Sequence, residues 1–197
     1  MFSLTARITF TEELLATQPA DPNIHETYIA SNAPDAKSKE EEIAAMGIDK
    51  VIEMASTIFP RNKLDIPFMW DYQWKGYFKS VASAFNRENK KHLPAFKKVI
   101  DTTVFVNPRQ CLLILPKNGK MGTCQRPLRA QTAQGERIAL ARSETVPIDT
   151  TTLIEIVTLS ENTLKLVRQW LDYGIYHGHG QWRNSGKGRF EWKEVTV

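Results

Sequence analysis

The sequence predicts an α+β fold in which several strands form a sheet with helices on one face. Three observations lead to this prediction. Both ends of the chain alternate apolar and polar side chains, two internal segments space their apolar residues as helices do, and the middle contains short β-branched runs separated by turn residues. The predicted order is strand, helices, several strands, helix, strand, which is typical of an α+β sheet.

The first strand is predicted over residues 3–10, where Leu4, Ala6, Ile8 and Phe10 share one face. Successive residues of a strand point in opposite directions, so this alternation indicates a strand with one buried face. The final nine residues are predicted to form the last strand, with Phe190 and Trp192 on its inward face.

Helices are predicted in three places. Residues 74–87 contain four large apolar residues at spacings of 4, 3 and 4, which places them on one helical face. The last helix begins at Ser160, a residue type that caps helices, and ends before Gly174. After a proline-punctuated stretch, a capping box and a loose apolar stripe predict one or two helices between residues 38 and 58.

Four strands are predicted in the middle of the chain. They are short apolar or β-branched runs at residues 104–106, 112–115, 138–142 and 153–159. The first two are separated by the sequence NPRQ, which has the composition of a turn. These runs predict a β-rich centre.

Length and composition predict one globular domain. The chain has 197 residues, of which 42% are hydrophobic, and this is enough to bury one sizeable core. Its first residues have no unbroken apolar run of the kind that a signal peptide or membrane helix needs, so we expect a cytoplasmic protein without membrane association. Cys111 and Cys124 are expected to be reduced. The four histidines match no metal-site spacing, and we expect neither metal nor cofactor.

Charge is divided unevenly along the chain. Residues 1–60 have four Lys and Arg against ten Asp and Glu, whereas residues 61–197 have 22 against 12. A basic surface of this kind is typical of proteins that bind a polyanion such as nucleic acid. The alternative is that both regions are solvated faces without a partner.

The segment most informative about function runs from Gly174 to Arg189, joining a helix to the last strand. It contains five glycines together with arginine, lysine and tryptophan side chains. Glycine lets backbone N–H groups approach an anion, arginine and lysine supply positive charge, and tryptophan can stack on a base. We therefore predict a loop that follows a nucleic-acid backbone. The alternative is a solvated glycine-rich hairpin.

Two motifs in this chain resemble those of a known family. From Gly178 to Phe190 the loop has the form GxGxxRxxGxGRF and continues directly into a strand. A segment that follows Pro67 enters a predicted helix as KGxxK, from Lys75 to Lys79. Together they resemble the RAMP superfamily, CRISPR-associated proteins that bind or process guide RNA on ferredoxin-like folds.

This resemblance implies a fold and a set of partners. The fold would be a ferredoxin-like or RRM-like antiparallel sheet of the βαββαβ type with helices on one face, in a single RAMP-like domain of residues 1–197. An acidic, partly helical insertion would occupy residues of about 20–66. The implied partners are RNA, either single-stranded or guide RNA, and subunits of a ribonucleoprotein complex.

The resemblance also implies which residues bind RNA. Lysines and arginines of the two motifs would contact phosphates, the glycines would shape the loop, and Trp182 would either stack on a base or anchor the loop in the core. The RNA-binding residues implied are Lys75, Lys79, Gly178, Gly180, Trp182, Arg183, Gly186, Lys187, Gly188 and Arg189. Tyr72 and Gln73 stand where the family usually has small serines, so the pocket beside them is expected to differ.

Catalysis is the weaker expectation. Some RAMP proteins cleave RNA with a histidine that activates the 2′-hydroxyl group, and His179, His177 and Tyr176 are the weak candidates here. A histidine in a polar loop is more often a surface residue, so we expect a binding protein rather than a metal-independent endoribonuclease. The main alternative to an RNA-binding protein is a protein-interaction factor that docks on a CRISPR-type complex to assemble or inhibit it, with the acidic insertion, which contains the block Glu40–Glu42, imitating nucleic acid. The endoribonuclease is the third hypothesis.

Overall fold

The computed structural model describes most of the chain and forms two compact units. Unit 1 comprises Met1–Leu15, Pro60–Lys120 and Val146–Val197, and unit 2 comprises Ala16–Phe59 and Met121–Thr145. The described residues are 1–20, 56–88, 92–132 and 135–196. Residues 38–55 of the predicted helical region lie outside the described residues, and so does the acidic block Glu40–Glu42.

The described residues contain eleven strands and three α-helices. The strands are β1 (Phe2–Phe10), β2 (Leu14–Leu15), β3 (Gln18–Pro19), β4 (Ser56–Ile58), β5 (Phe68–Trp70), β6 (Val104–Asn107), β7 (Gln110–Leu112), β8 (Gly122–Thr132), β9 (Gly135–Val146), β10 (Thr151–Thr158) and β11 (Phe190–Glu194). The helices are α1 (Asp71–Glu88), α2 (Phe96–Thr103) and α3 (Glu161–Asp172). Two 3₁₀ turns lie between α3 and β11, at Tyr173–Ile175 and Arg183–Ser185.

Unit 1 is built on a four-stranded sheet in the order β11-β1-β10-β6, in which all neighbours are antiparallel. The predicted alternation of the first strand is confirmed, since Leu4, Ala6, Ile8 and Phe10 are all buried. In register with them, Ile154 and the other even-numbered residues of β10 are also buried. One face of the sheet therefore forms the core.

Helices α1 and α3 cover this buried face. Trp74, Phe78 and Val81 of the predicted apolar stripe are buried, and Phe85 is half-buried. Helix α1 begins three residues earlier than predicted, where Gln73 Oε1 accepts a hydrogen bond from the backbone N–H of Trp70 (2.8 Å). The hydroxyl group of Tyr77 on α1 donates to the carbonyl oxygen of Trp170 on α3 (2.8 Å), which ties the two helices together. The predicted C-terminal helix is confirmed, with Ser160 as its N-cap.

Unit 2 contains a long hairpin of β8 and β9, with β4 parallel to β9 and β3 antiparallel to β4. The prediction that helix extends to residue 58 is wrong for its last three residues, because they form β4. Thr57 donates to the carbonyl oxygen of Ala16 (2.9 Å) and contacts Ser143 Oγ (2.8 Å), so pairing with distant strands outweighs the loose apolar stripe. Strand β8 was not predicted either.

The structure is thus α+β, with antiparallel sheets and few helices, and is compatible with an RRM-like fold. Among the described residues, no helix is both long and apolar enough to span a membrane.

The cap of α3 gives a test of the fold. Ser160 Oγ accepts a hydrogen bond from the backbone N–H of Thr163 (3.1 Å), so Ser160→Ala should lower the free energy of unfolding by about 1 kcal/mol. Ser160→Asp keeps an acceptor at the same position and should retain most of the stability. Urea denaturation of the three proteins measures this. An equal loss in both variants would contradict the assigned cap.

Candidate functional site

The two arms of the glycine-rich loop, residues 178–180 and 187–189, lie in direct backbone contact. The backbone N–H of His179 donates to the carbonyl oxygen of Gly188 (2.8 Å). A Cβ atom on Gly178 would overlap the carbonyl oxygen of Lys187, and one on Gly188 would overlap that of His179. Only glycine fits at these two positions, because the approach leaves no room for a side chain.

The loop also packs on the segment that follows β1. The backbone N–H of Gly188 donates to the carbonyl oxygen of Glu13 (2.8 Å). A Cβ atom on Gly180 would lie only 2.7 Å from the carbonyl oxygen of Leu15. Gly186 ends the 3₁₀ turn Arg183–Ser185 at a φ of 87°. Contacts within the protein thus account for all four predicted loop glycines, which shape the loop.

The basic residues of the loop have different environments. Arg183 Nη1 donates to Ser80 Oγ on α1 (3.1 Å) and lies 3.2 Å from His177 Nε2. Lys187 Nζ forms a salt bridge with Glu13 (2.8 Å). Arg189 is exposed, and its guanidinium group lies beside Gly186. The loop therefore presents one arginine to α1.

Trp182 lies at the tip of the loop. It is 42% exposed and has a positive φ of 55°, as the residue that opens the last 3₁₀ turn. Of the two roles that the sequence left open for this residue, a fully buried core anchor does not match this exposure.

Lys75 and Lys79 both reach the C-terminal end of α2. Lys79 forms a salt bridge with the carboxylate of Asp101, and Lys75 Nζ donates to the backbone carbonyl oxygen of the same residue (3.4 Å). The Lys75 ammonium group also lies 5.1 Å from the ring centroid of Phe105. Both lysines are half-buried, and Asp101 neutralises part of their charge.

An open groove of about 490 Å³ runs along α1 beside these residues. Small side chains form much of its lining, and three cationic side chains and one histidine stand around them. The lining residues are Gly76, Lys79, Ser80, Ser83, Ala84, Arg87, Phe96, Lys97 and His177. The groove therefore combines space close to a helix backbone with hydroxyl groups and positive charge, which suits an anionic chain.

His177 faces this groove and is held as a neutral acceptor. Burial, followed by the positive charge of Arg183, lowers its pKa. Its Nε2 lies 2.9 Å from Ser80 Oγ, and because a guanidinium group can only donate, Nε2 must be the acceptor of both bonds. The ring proton is therefore on Nδ1. A role as general base would require Nε2 to release Ser80 and Arg183.

His179 lies in the core. It is 5% exposed, and its ring contacts Trp74 (4.7 Å between centroids) and stacks on Tyr77 (5.8 Å). Burial, followed by the charge of Arg183, lowers its pKa to about 3, while the backbone of Gln73 acts in the opposite direction. This position does not suit a side chain that takes a proton from a ligand.

Tyr176, the third weak catalytic candidate, is 66% exposed. It contacts the ring of Tyr173 (5.8 Å between centroids), which in turn stacks on His177 (6.0 Å). Tyr176 is not among the residues that line the groove.

The structure places Gly76 and Lys79 of the KGxxK segment in the lining of the α1 groove. Arg183 of the glycine-rich loop contacts Ser80 and His177, two other residues that line it. Sequence reasoning missed four polar or charged residues of this site, namely Ser80, Ser83, Arg87 and Lys97. The first three follow Gly76 on α1 at intervals of four, three and four residues, so helical periodicity could have found them. Lys97 belongs to α2, which was not predicted.

No family model and no curated protein matches this sequence. Solved structures match its fold. A chain from type III-B Cmr-beta bound to cognate target RNA is 10% identical with a TM-score of 0.58, over 99% of this chain and 60% of that chain. A chain from a type IV-B CRISPR complex is 10% identical with a TM-score of 0.51, over 100% of this chain and 91% of that one. A chain from type III-B Cmr-beta in the apo state is 11% identical with a TM-score of 0.54, over 99% and 98%.

The chain has the fold of subunits of CRISPR complexes. This likeness supports the RAMP-like fold that the two motifs predict, and at these identities it concerns the fold alone. The chain spans 60% of the length of the first of these structures.

Burial of His179 predicts how stability depends on pH. Its pKa is about 3 in the folded state and near 6.5 in the unfolded chain, so the unfolded state binds a proton between these values that the folded state excludes. The free energy of unfolding should therefore fall on acidification, for this group by roughly 2 kcal/mol between about pH 7.5 and about pH 5. His177 acts in the same direction, because its pKa is also lowered.

The neutral variant His179→Leu isolates this contribution. It should lose less stability than the wild type over the same pH range, because leucine binds no proton in either state. Urea denaturation at both pH values measures the difference between the two proteins. Identical losses on acidification would contradict the burial of a neutral His179.

Proposed function

We propose that this protein binds single-stranded or guide RNA as a RAMP-like subunit of a CRISPR-type ribonucleoprotein complex, with the α1 groove as its main contact surface. The observation that supports this most is the groove itself, in which Lys79, Arg87 and Lys97 surround small residues of a helix. Lysine and arginine at such a surface neutralise phosphates, which is the main source of affinity for nucleic acids.

Beside the groove, on the side of the glycine-rich loop, lie the hydroxyl group of Ser80 and the guanidinium group of Arg183. Arg183 and Ser80 already share a hydrogen bond there, and both can turn donors toward a phosphate oxygen. We propose that the loop glycines act indirectly, by holding the loop in the shape that presents Arg183. Lys75, Trp182 and Arg189 would add contacts at the margins, while Lys187 is engaged by Glu13.

The likeness to known structures supports this proposal. One of the matching chains comes from a type III-B Cmr-beta assembly bound to cognate target RNA, and another comes from a type IV-B CRISPR complex. We propose that this chain also functions within such an assembly, in the cytoplasm.

We further propose the ferredoxin-like assignment of the fold. If β1, β6, β10 and β11 are taken as the sheet strands and α1 and α3 as its helices, the chain order is βαββαβ. The spatial order is then fourth, first, third, second. In this proposal residues 1–197 form a single RAMP-like domain, and unit 2 consists of segments inserted into it.

Removing charge from the groove tests the proposed contact surface. The double variant Arg87→Ala/Lys97→Ala should bind single-stranded RNA more weakly and with a shallower salt dependence, by about 0.7 in the slope for each phosphate that the protein no longer neutralises. Lys117→Ala/Lys120→Ala removes the same charge from an exposed turn and serves as the matched control. Fluorescence anisotropy at several salt concentrations measures both.

Equal effects of the two double variants would show that only net charge matters and would contradict a binding groove. If the wild type binds no RNA at low salt and purifies free of nucleic acid, the proposal fails, and the protein-interaction hypothesis would take its place.

Gly76 gives a steric test of the same groove. It is exposed within α1, and a Cβ atom there would have no neighbour within 4 Å. Gly76→Ala should therefore stabilise the fold by about 0.5–1 kcal/mol, because alanine favours a helix interior. Gly76→Ala and the longer Gly76→Gln should bind RNA progressively more weakly, since each fills more of the groove. Thermal unfolding and anisotropy measure the two effects, and unchanged affinity across the series would contradict a ligand that passes over Gly76.

A further inference from the structure

We infer that Trp70 and Tyr72, at the start of α1, form a stacking site for an unpaired nucleobase. This inference rests on the proposed function and deepens it. It specifies that the ligand of the groove is single-stranded, with at least one base exposed to the protein.

The two rings form a stacked pair in which Tyr72 is exposed and Trp70 is half-buried. Their planes differ by 14° and their centroids are 6.3 Å apart, and Tyr72 is 58% exposed. Phe68 packs its ring edge against Trp70 (4.9 Å, 87°) from within the protein. The guanidinium group of Arg109 lies 5.9 Å from the centroid of Trp70, which adds a positive charge beside the pair.

The backbone around the pair is fixed before any ligand binds. Trp70 ends β5, where it pairs with Gln110 of β7, and its backbone N–H donates to Gln73 Oε1 (2.8 Å). The next N–H, that of Asp71, donates to the carbonyl oxygen of Arg109 (3.0 Å). A rigid aromatic surface costs little entropy when a base stacks on it.

Tyr72 is also aligned with the groove. Gly76, Lys79, Ser83 and Arg87 follow it on α1 at intervals of 4, 3, 4 and 4 residues, which places all five on one stripe of the helix. From Tyr72 to Arg87 the helix rises about 22 Å, which is enough for several nucleotides. The stripe therefore begins with an aromatic ring and continues with small and cationic residues.

This sequence of chemical groups matches a single strand better than a duplex. A single strand exposes the faces of its bases next to its phosphates, and a base that stacks on an aromatic side chain gains affinity whatever its identity. In a duplex the bases are already stacked and paired, so an exposed tyrosine beside the groove would have no base face to contact.

The test compares Tyr72→Ala and Tyr72→Phe with the wild type on four probes. These are a uridine oligonucleotide of about 15 residues, the same oligonucleotide with abasic positions, an RNA duplex of equal length and inorganic polyphosphate. Tyr72→Ala should weaken binding of the uridine oligonucleotide about tenfold, and Tyr72→Phe should retain it, because the ring and not the hydroxyl group stacks. Neither variant should change the affinity for the other three probes.

The possible outcomes separate this inference from the proposed function. If Tyr72→Ala binds the uridine oligonucleotide as tightly as the wild type, the stacking site is wrong, while a groove that requires Arg87 and Lys97 would still stand. If it loses affinity for the abasic strand and polyphosphate equally, the tyrosine does not act through a base, and the inference is overturned. A protein partner that requires Tyr72, with RNA affinity unchanged, would assign the pair to a protein interface. If the wild type binds no probe, both proposals fail.

Discussion

The backbone contact between the two arms of the glycine-rich loop is the constraint on which the site depends. Because Gly178 and Gly188 lack side chains, the loop closes on itself and its last turn reaches α1. There Arg183 forms hydrogen bonds with Ser80 and the neutral acceptor His177, both of which line the groove. The loop continues into β11. There the ring of Phe190 occupies the space that a side chain on the buried Gly174 would need.

Ion pairs within the protein reduce the charge that the basic part of the chain presents to solvent. Two of the three lysines that the motifs would assign to phosphates already have carboxylate partners, namely Lys79 in Asp101 and Lys187 in Glu13. Partly exposed ion pairs of this kind are weak, because water and salt screen them. A phosphate can therefore displace the carboxylate from such a lysine at a small cost in free energy. The lysine is then still available to a phosphate, although a carboxylate neutralises it in the free protein.

Sequence periodicity predicted those strands and helices whose apolar residues recur at a regular spacing along the chain. Strand β1 and helices α1 and α3 were found in this way, because each buries a regular stripe against one sheet. Strand β4 was missed because its pairing partners lie far away in the chain. Strand β8 pairs with the next strand in a hairpin, and it was missed because its sequence has no regular apolar alternation. The motifs predicted Lys79 and Arg183 at the site, but they gave no indication that His179 would be buried, which depends on the aromatic residues around it.

Asp101 has a consequence for selectivity. One residue at the end of α2 holds Lys75 through its carbonyl oxygen and Lys79 through its carboxylate, so an incoming anion competes with interactions that already exist. A small anion replaces only one of them. A polymer engages several cations at once, and after it has bound the first, the others follow at high effective concentration. If the groove binds anions as proposed, these existing interactions would favour long anionic chains over free nucleotides and inorganic phosphate.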